Sequence, residues 1–256
     1  MKLSKSLVIL VAALIGSFSF ADEKPTAIYL LIGQSNRAGR AALDEADKDP
    51  IEGVLMLNDK GEWETASNPL NRYSTVRKEI KMQRMGPGYG FAKAMRFLQP
   101  EEIIGLVVNA KGGSSVREWQ PDQTFFKEAV KRTKVALETS GAELKGIVWH
   151  QGEADAGMEE YLEKLKVVVD TLRSELDAEG VPFIAGQICE TEERPAYAGF
   201  NERLTGISDV IENSDYVVAG DLSVFDGVHF DPASQRLLGV RYAERMAANL
   251  RKDKSE

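Results

Sequence analysis

The stretch AIYLLIGQSN, residues 27–36, decides the fold of this chain. Its first six residues are apolar without interruption, which predicts a short strand buried on both faces instead of a half-exposed hairpin strand. Strands of that kind belong to parallel sheets that helices cover on both sides. Gly33 permits a tight turn directly after the strand, so Ser35 and its backbone amide are expected at the strand's carboxyl end.

Four further short apolar stretches alternate with longer helical patterns along the chain. The predicted strands are 27–32, 103–109, 146–150, 183–187 and 216–219, and the predicted helices are 90–98, 124–139, 158–179, part of 197–213, and 233–250. This alternation predicts an α/β fold, with about five parallel strands and helices on both faces of the sheet.

Residues 40–89 interrupt the alternation. The apolar residues 54–57, the turn signal at 58–61 and Trp63 predict a small hairpin inside this segment. Because the segment follows the first strand, it is expected to lie over the carboxyl ends of the strands, where open α/β sheets bind ligands.

Charge and composition exclude several classes of protein. The 256 residues include 32 Lys and Arg against 40 Asp and Glu, a formal net charge of −8. Such a chain has no electrostatic footprint for nucleic acid or anionic lipid, and no protein partner is predicted. The single Cys189 excludes an internal disulfide framework and a thiolate zinc cluster. With His150 and His229 as its two histidines, the chain offers two candidates for a base that titrates near neutral pH.

Residues 1–21 have the pattern of a secretory signal peptide. A basic start precedes the apolar run 7–15, and Ser-Phe-Ala at 19–21 forms a small-x-small cleavage site. The alternative, an uncleaved membrane anchor, is disfavoured because the run is short and residues 16–17 interrupt it. We therefore expect a secreted or periplasmic protein, with no membrane contact after cleavage, whose residues 22–256 form one domain.

Ser35 and the loop around His229 are the candidates for nucleophilic catalysis. Asp226 precedes His229 by three residues, so its carboxylate can hold one ring nitrogen while the other faces a nucleophile. Taken singly, Ser35 is equally interpretable as a helix cap and His229 as a structural turn residue. Arg37 stands where the pentapeptide Gly-x-Ser-x-Gly requires glycine, so the nucleophile elbow of α/β-hydrolases is not predicted.

Two other strand ends carry polar residues. After His150, the amide of Gln151 is a candidate donor to an oxyanion, and Glu153 and Asp155 are candidates either to orient partners or to cap a helix. The paired glycines 112–113 allow backbone amides to point into a cleft, although such turns are also common as purely structural features.

Five segments together resemble the SGNH hydrolase superfamily, and within it the sialate O-acetylesterase-like domain and the acetylxylan esterases of carbohydrate esterase family six. The matching segments are 33–40, 86–92, 109–119, 149–155 and 226–230. The resemblance implies a flavodoxin-like three-layer α/β/α sandwich that hydrolyses acetyl esters on sugars without a cofactor or a metal.

The resemblance also implies roles for individual residues. Ser35 is then the nucleophile, His229 the general base and Asp226 its orienting acid, while the amides of Ser35 and Gly113 and the side chain of Gln151 form the oxyanion hole. Substrate binding or shaping of the site falls to Gln34, Asn36, His150 and Glu153. The chain departs from the family at Arg37, where methionine is common, and a cation there is expected to alter the rim of the acyl pocket or to pair with a substrate carboxylate.

The resulting hypothesis is a serine esterase that removes O-acetyl groups from acetylated xylan, sialic acid or a similar glycan through an acyl-enzyme. Four aromatic residues in predicted loops are candidates to line the mouth of its cleft, namely Trp63, Tyr73, Tyr89 and Trp119, although at least half of them are expected to pack in the core instead. One alternative is a metal-dependent hydrolase, whose site consists of His150, Glu153, Asp226 and His229. A second alternative is a carbohydrate-binding protein without catalytic activity.

Overall fold

The computed structural model describes residues 23–252, so the expected signal peptide at 1–21 lies outside the described part of the chain. The strands are β1 (Ala27–Gly33), β2 (Val54–Leu57), β3 (Trp63–Thr65), β4 (Ile104–Val108), β5 (Glu143–His150), β6 (Phe183–Gly186) and β7 (Ser214–Val217). The helices are α1 (Ser35–Ala38), α2 (Gly88–Leu98), α3 (Thr124–Ser140), α4 (Tyr161–Glu175), α5 (Ala196–Leu204), α6 (Ile207–Val210) and α7 (Pro232–Lys252).

The strands form one seven-stranded sheet in the order β3-β2-β4-β1-β5-β6-β7. All neighbouring pairs are parallel except β2 and β3, which are antiparallel. The expectation of about five strands was too low, because the predicted hairpin is not separate. Its first strand, β2, pairs with β4 through Val54, Leu55 and Met56, which extends the sheet at one edge.

Helices cover both faces of the sheet, as expected. Alternate residues of β1 serve two cores: Tyr29 and Leu31 pack with α2 and α7 on one face, and Leu30 packs with α3 and α4 on the other. Every residue of β1 is buried, and each large apolar side chain buried in this way contributes roughly 1.5–3 kcal/mol. The continuous apolar run in the sequence is therefore explained by a strand that faces two helical layers.

The helices differ from expectation mainly at their ends. The helix expected over 158–179 spans only Tyr161–Glu175. Turns precede Tyr161, and shortly after the last helical residue Asp177 adopts a φ of 50°, which is incompatible with a continued helix. No helix between residues 23 and 252 is long and apolar enough to cross a membrane.

The topology brings the carboxyl end of β1 to a crevice. β1 lies between β4 and β5. The chain leaves β1 toward β2, on the β4 side, and later crosses from β4 to β5, on the other side of β1. Ligands bind at such switch points of open α/β sheets.

Part of the 40–89 segment is fastened beside this crevice. The Asn71 side-chain amide donates to the Ala110 carbonyl at 3.1 Å, and the Thr75 amide donates to Asn109 Oδ1 at 2.9 Å. The expected position of this segment, over the carboxyl ends of the strands, is therefore observed for its second half.

Candidate active site

A sharp turn after β1 positions Ser35. Gly33 has a φ of +134°, and a side chain on it would meet the His150 carbonyl oxygen at 2.1 Å, so only glycine fits. The backbone amide of Gln34 donates to the same carbonyl at 2.8 Å, which fixes the turn against the end of β5. Ser35 follows as the first residue of the short helix α1. The sequence expectation that Gly33 lets the serine emerge at the strand end agrees with this geometry.

Three side chains from the two ends of the chain meet at this turn. Ser35 Oγ lies 3.0 Å from His229 Nε2, and His229 Nδ1 lies 2.7 Å from Asp226 Oδ2. The serine and the imidazole are 194 residues apart in sequence. The geometry is that of a nucleophile, a base and an orienting acid in a row.

Asp226 also shapes the loop that carries His229. Its Oδ1 accepts hydrogen bonds from the backbone amides of His229 at 2.7 Å and Val228 at 3.2 Å. Partial burial raises the pKa of the Asp226 carboxyl, but the hydrogen bonds from the His229 ring and from these amides outweigh burial and hold the pKa below its usual range. The carboxylate therefore stays ionised while it orients the ring.

Asn36 joins the nucleophile turn to the histidine loop. Its Oδ1 accepts from the Phe230 amide at 3.1 Å, and its Nδ2 donates to the Val228 carbonyl at 3.1 Å. The same Nδ2 donates to Glu153 Oε1 at 2.5 Å. Asn36 is fully buried, so these contacts fix the loop relative to Ser35.

His150 and Glu153 lie behind this contact. His150 is fully buried, its Nδ1 lies 2.8 Å from the Tyr242 hydroxyl, and its Nε2 lies 3.7 Å from Glu153 Oε1. Burial raises the pKa of Glu153, but interactions with His150 and the hydrogen bond from Asn36 bring it below the usual range. His150 thus supports the site from beneath and makes no hydrogen bond to Ser35.

The two residues whose backbone amides were expected to bind an oxyanion lie at the same cavity. Ser35 and Gly113 both line the cavity in front of the triad. Gly113 has a φ of +77°, the left-handed conformation that glycine readily adopts. Within residues 23–252, neither of these two backbone amides has a protein acceptor.

The contacts of Gln151 do not fit its expected role as an oxyanion donor. Its side chain is 1% exposed, and its Nε2 donates to Asp155 Oδ2 at 2.6 Å, to the Ser114 carbonyl at 3.1 Å and to Gln34 Oε1 at 3.3 Å. Both of its hydrogens are therefore engaged by protein acceptors, and Gln151 does not line the cavity.

Gln34 is the side-chain amide that lies at the cavity instead. Its Oε1 accepts a hydrogen bond from Gln151 Nε2 at 3.3 Å and lies within 3.5 Å of the backbone amides of Gly152 and Ala154, while its Nε2 has no protein acceptor among the described residues. The two glutamines end adjacent strands, and the sequence offers no signal that distinguishes their directions.

Arg37 is likewise not at the rim of the pocket. It is 3% exposed, and burial lowers its pKa to about 9. Its NH2 atom lies close to Gly88 at the start of α2. The expectation that Arg37 alters the acyl pocket or pairs with substrate is therefore wrong, because its side chain points into the core.

None of the four candidate aromatic residues lines the cavity. Trp119 is fully buried, Trp63 Nε1 donates to Thr139 Oγ1, and the hydroxyls of Tyr73 and Tyr89 bind Glu64 and the Ala46 carbonyl. Two aromatic residues that the sequence did not single out lie at the site. Tyr197 lines the cavity, and the half-exposed Phe225 stacks on the His229 ring at 6.1 Å.

The cavity in front of the triad has a volume of about 330 Å³. It is lined by Gln34, Ser35, Arg40, Lys78, Met82, Gly112, Gly113, Glu153, Ala154, Arg194, Tyr197, Val228 and His229. Among residues 23–252, no three His, Cys, Asp or Glu side chains are arranged to hold a metal ion. The four residues of the alternative metal site consequently do not converge.

Comparison with known proteins identifies the family. The family model "Carbohydrate esterase, sialic acid-specific acetylesterase" matches residues 25–248. The probable carbohydrate esterase At4g34215 of Arabidopsis thaliana is 30% identical over 180 residues, which cover 62% of this chain and 68% of that protein. These matches confirm the resemblance to sialate O-acetylesterase-like carbohydrate esterases.

Solved structures agree in fold. The crystal structure of the same Arabidopsis protein superposes with a TM-score of 0.80 and 27% identity, covering 88% of this chain and 99% of that chain. NanS superposes with a TM-score of 0.68 and 16% identity, covering 91% and 100% of the two chains. A carbohydrate acetylesterase from Xanthomonas citri superposes with a TM-score of 0.64 and 19% identity, covering 88% and 57%. The chain belongs to the carbohydrate esterase, sialic acid-specific acetylesterase family and is a carboxylic ester hydrolase.

Proposed function

We propose that this protein is a serine esterase that removes O-acetyl groups from carbohydrates through an acyl-enzyme intermediate. The observation that carries the proposal is the row of contacts from Ser35 Oγ through His229 to Asp226, at 3.0 and 2.7 Å, at the wall of an open cavity. The names of its relatives, which are carbohydrate esterases and acetylesterases, support the acetyl group as the acyl part.

In the first step, Ser35 Oγ attacks the acetyl carbonyl carbon and transfers its proton to His229 Nε2. Asp226 holds the Nδ1 proton and stabilises the charged ring that forms. The carbonyl oxygen becomes an oxyanion, which receives hydrogen bonds from the amides of Ser35 and Gly113 and from Gln34 Nε2. Each such donor is worth about 3 kcal/mol of transition-state stabilisation.

The tetrahedral intermediate then collapses to the acyl-enzyme as the bond between the carbonyl carbon and the sugar oxygen breaks. His229 returns its proton to that oxygen, and the deacetylated sugar leaves. Water then attacks the acetyl-Ser35 ester while His229 takes a proton from it, and acetate departs as Ser35 Oγ is reprotonated. Two hydrogen bonds of Asn36 keep the histidine loop against Ser35 through both steps.

The decisive experiment is the Ser35→Ala variant, assayed for acetate release from a small acetyl ester. We expect turnover to fall by at least about 1,000-fold while circular dichroism and thermal unfolding are unchanged. Ser174→Ala is the matched control, because Ser174 is exposed near the C-terminal end of α4 and does not line the cavity. Unchanged turnover in Ser35→Ala would remove Ser35 as the nucleophile.

A second measurement separates the acyl-enzyme from direct attack by water. Denaturing the enzyme during turnover of a slowly hydrolysed acetyl ester is expected to trap one acetyl group on Ser35, detected by mass spectrometry of the peptide. An unmodified peptide under conditions that saturate the enzyme would contradict the covalent step.

We also propose that this reaction takes place outside the cytoplasm, in the periplasm or the surrounding medium. The support is the pattern of residues 1–21, with its apolar run and small-x-small cleavage site. Expression of the full chain is expected to yield an exported protein whose N-terminus is Asp22. An N-terminus at Met1 in a cytoplasmic fraction would contradict export.

A further inference from the structure

The buried side chain of Arg37 has no part in the chemistry of the triad. Arg37 lies on α1, two residues after Ser35, and is 3% exposed. Its Nε and NH1 atoms have no hydrogen-bond partner within residues 23–252, and no carboxylate there forms an ion pair with it. A buried charge without a partner is strongly unfavourable. The methionine that is common at this position in the family carries no such charge, so the feature belongs to this chain.

The guanidinium group of Arg37 points at the N-terminus of α2. Its NH2 atom lies 2.9 Å from the position that a Cβ on Gly88 would take. Gly88 is the first residue of α2, an 11-residue helix without a side-chain cap at this end. The backbone amides of Gly88, Tyr89 and Gly90 have no acceptor in the described part of the chain, and all three residues are buried. Such amides at a buried helix N-terminus require a partner from outside the helix.

The two features that face each other are both positive. The guanidinium group carries one charge, and the N-terminus of a helix acts as about half a positive charge. Burial lowers the pKa of Arg37 to about 9, so the group is still charged at neutral pH. Burial also raises the pKa of the neighbouring Tyr242 hydroxyl, which therefore stays neutral and supplies no counter-charge. A single anion placed between Arg37 and α2 would compensate both.

The side chains around this point favour a monatomic anion. Leu70 Cδ1 and Leu31 Cδ2 lie 3.0 and 3.2 Å from the same Cβ position on Gly88. Neither leucine can donate a hydrogen bond, so the outer oxygens of a sulfate or a phosphate would be buried without partners. One elementary negative charge is enough to neutralise the guanidinium group. These requirements are met by a halide such as chloride.

We propose that Arg37 and the N-terminus of α2 form an internal chloride-binding site, which holds α1, the helix that carries Ser35, against α2. The inference is independent of the proposed esterase function, because neither Arg37 nor residues 88–90 line the cavity in front of the triad.

Thermal unfolding tests whether chloride binds the folded protein. The purified protein is unfolded in sodium chloride and, at matched ionic strength, in sodium gluconate, whose anion is too large for the site. At a chloride concentration about 10-fold above Kd, we expect Tm to lie about 3–6 °C above its value in gluconate. Matched ionic strength removes the contribution of charge screening from this comparison.

Variants assign the effect to Arg37. In Arg37→Met, which replaces the charge with an apolar side chain, Tm should be the same in chloride and in gluconate. In gluconate this variant should be at least as stable as the wild type, because the uncompensated buried charge is gone. Arg132→Met is the matched control: Arg132 is also buried, but its NH1 and NH2 atoms donate to the Asn58 and Leu57 carbonyls. This control should keep the full difference in Tm between the two salts.

Diffraction from crystals soaked in sodium bromide locates the ion without a variant. We expect an anomalous peak between the Arg37 guanidinium group and the amides of residues 88–90. The inference is overturned if this peak is missing, if Tm of the wild type is equal in chloride and gluconate, or if Arg37→Met keeps the difference. A peak without a chloride-specific rise in Tm would indicate an adventitious ion only and would overturn it as well.

Discussion

Replacing Asp226 with asparagine tests how much the triad depends on a charged partner for His229. The carboxylate accepts three hydrogen bonds, from His229 Nδ1 at 2.7 Å and from the amides of His229 and Val228. An asparagine can keep the two amides on its oxygen, but its NH2 group then faces Nδ1. The ring must turn to the tautomer protonated on Nε2, which cannot accept the proton of Ser35.

The expected loss follows from these contacts. The charge-assisted bond to Nδ1 alone is worth about 1.5–3 kcal/mol, and inversion of the tautomer in a Ser-His-Asp triad reduces kcat by about 10⁴-fold. The Asp226 side chain is 42% exposed, so water can replace part of the lost interaction. We therefore expect kcat to fall by about 100- to 1,000-fold with little change in KM.

The assay is steady-state acetate release from a small acetyl ester, which requires no knowledge of the sugar. Asp221→Asn is the matched control: it removes the same charge from an exposed loop, where the carboxylate pairs with Arg241. A loss below about 5-fold in Asp226→Asn, with the control equal to wild type, would show that another group orients His229. The reasoning from the tautomer would then be wrong.

Three further predictions concern the scaffold and the oxyanion donors. Gly33→Ala should destabilise the protein by about 3 kcal/mol or more in urea unfolding, because the new methyl group meets a backbone oxygen at 2.1 Å; Gly157→Ala, with open space around it, should change stability by less than about 0.5 kcal/mol. Arg236→Gln breaks the pair with Asp47, whose pKa is lowered chiefly by the hydrogen bond from Arg236. This substitution should lower the free energy of unfolding by about 1–2 kcal/mol at pH 7. Because the pKa of Asp47 in the folded state lies below its ordinary value, the loss should be complete above about pH 4 and should vanish as the pH falls through the folded-state pKa. An equal loss at pH 2 and pH 7 would contradict this prediction. Gln34→Ala should lower kcat for a small acetyl ester by about 100-fold without a matching rise in KM, and an unchanged kcat would exclude Gln34 as an oxyanion donor.

The apolar pattern of the sequence was sufficient to predict most of the strands but not how the edge strand pairs. Four of the five predicted strands follow short apolar runs, because a strand buried on both faces needs apolar side chains at every position. The fifth, β7, begins at Ser214, two residues before the predicted 216–219, and its middle residues are only half-buried. The edge of the sheet was not found, since β2 also reads as half of an isolated hairpin. Its pairing with β4 depends on contacts between distant segments, and local pattern carries no information about register across such a distance.

At the candidate site, some side chains could likewise be predicted from the sequence and others could not. Ser35, Asp226 and His229 could be predicted from the sequence because two motifs occur together. A serine at the end of a strand and an Asp-x-x-His loop are each ambiguous alone, but in combination they favour nucleophilic catalysis. Arg37 was expected at the rim of the pocket, whereas Arg40, the last residue of the matching segment 33–40, was given no role. In the structure Arg37 points into the core and Arg40 into the cavity.

The sequence by itself therefore determined the layered α/β architecture, and it predicted three residues, Ser35, Asp226 and His229, that the structure brings together at the carboxyl end of β1. The tertiary structure alone decided which neighbouring polar side chains face the cavity, as between Gln34 and Gln151. The physical reason is that the direction of a side chain beyond a strand end is set by the turn that follows and by the partners that satisfy its hydrogen bonds. Those partners come from segments far away in the chain.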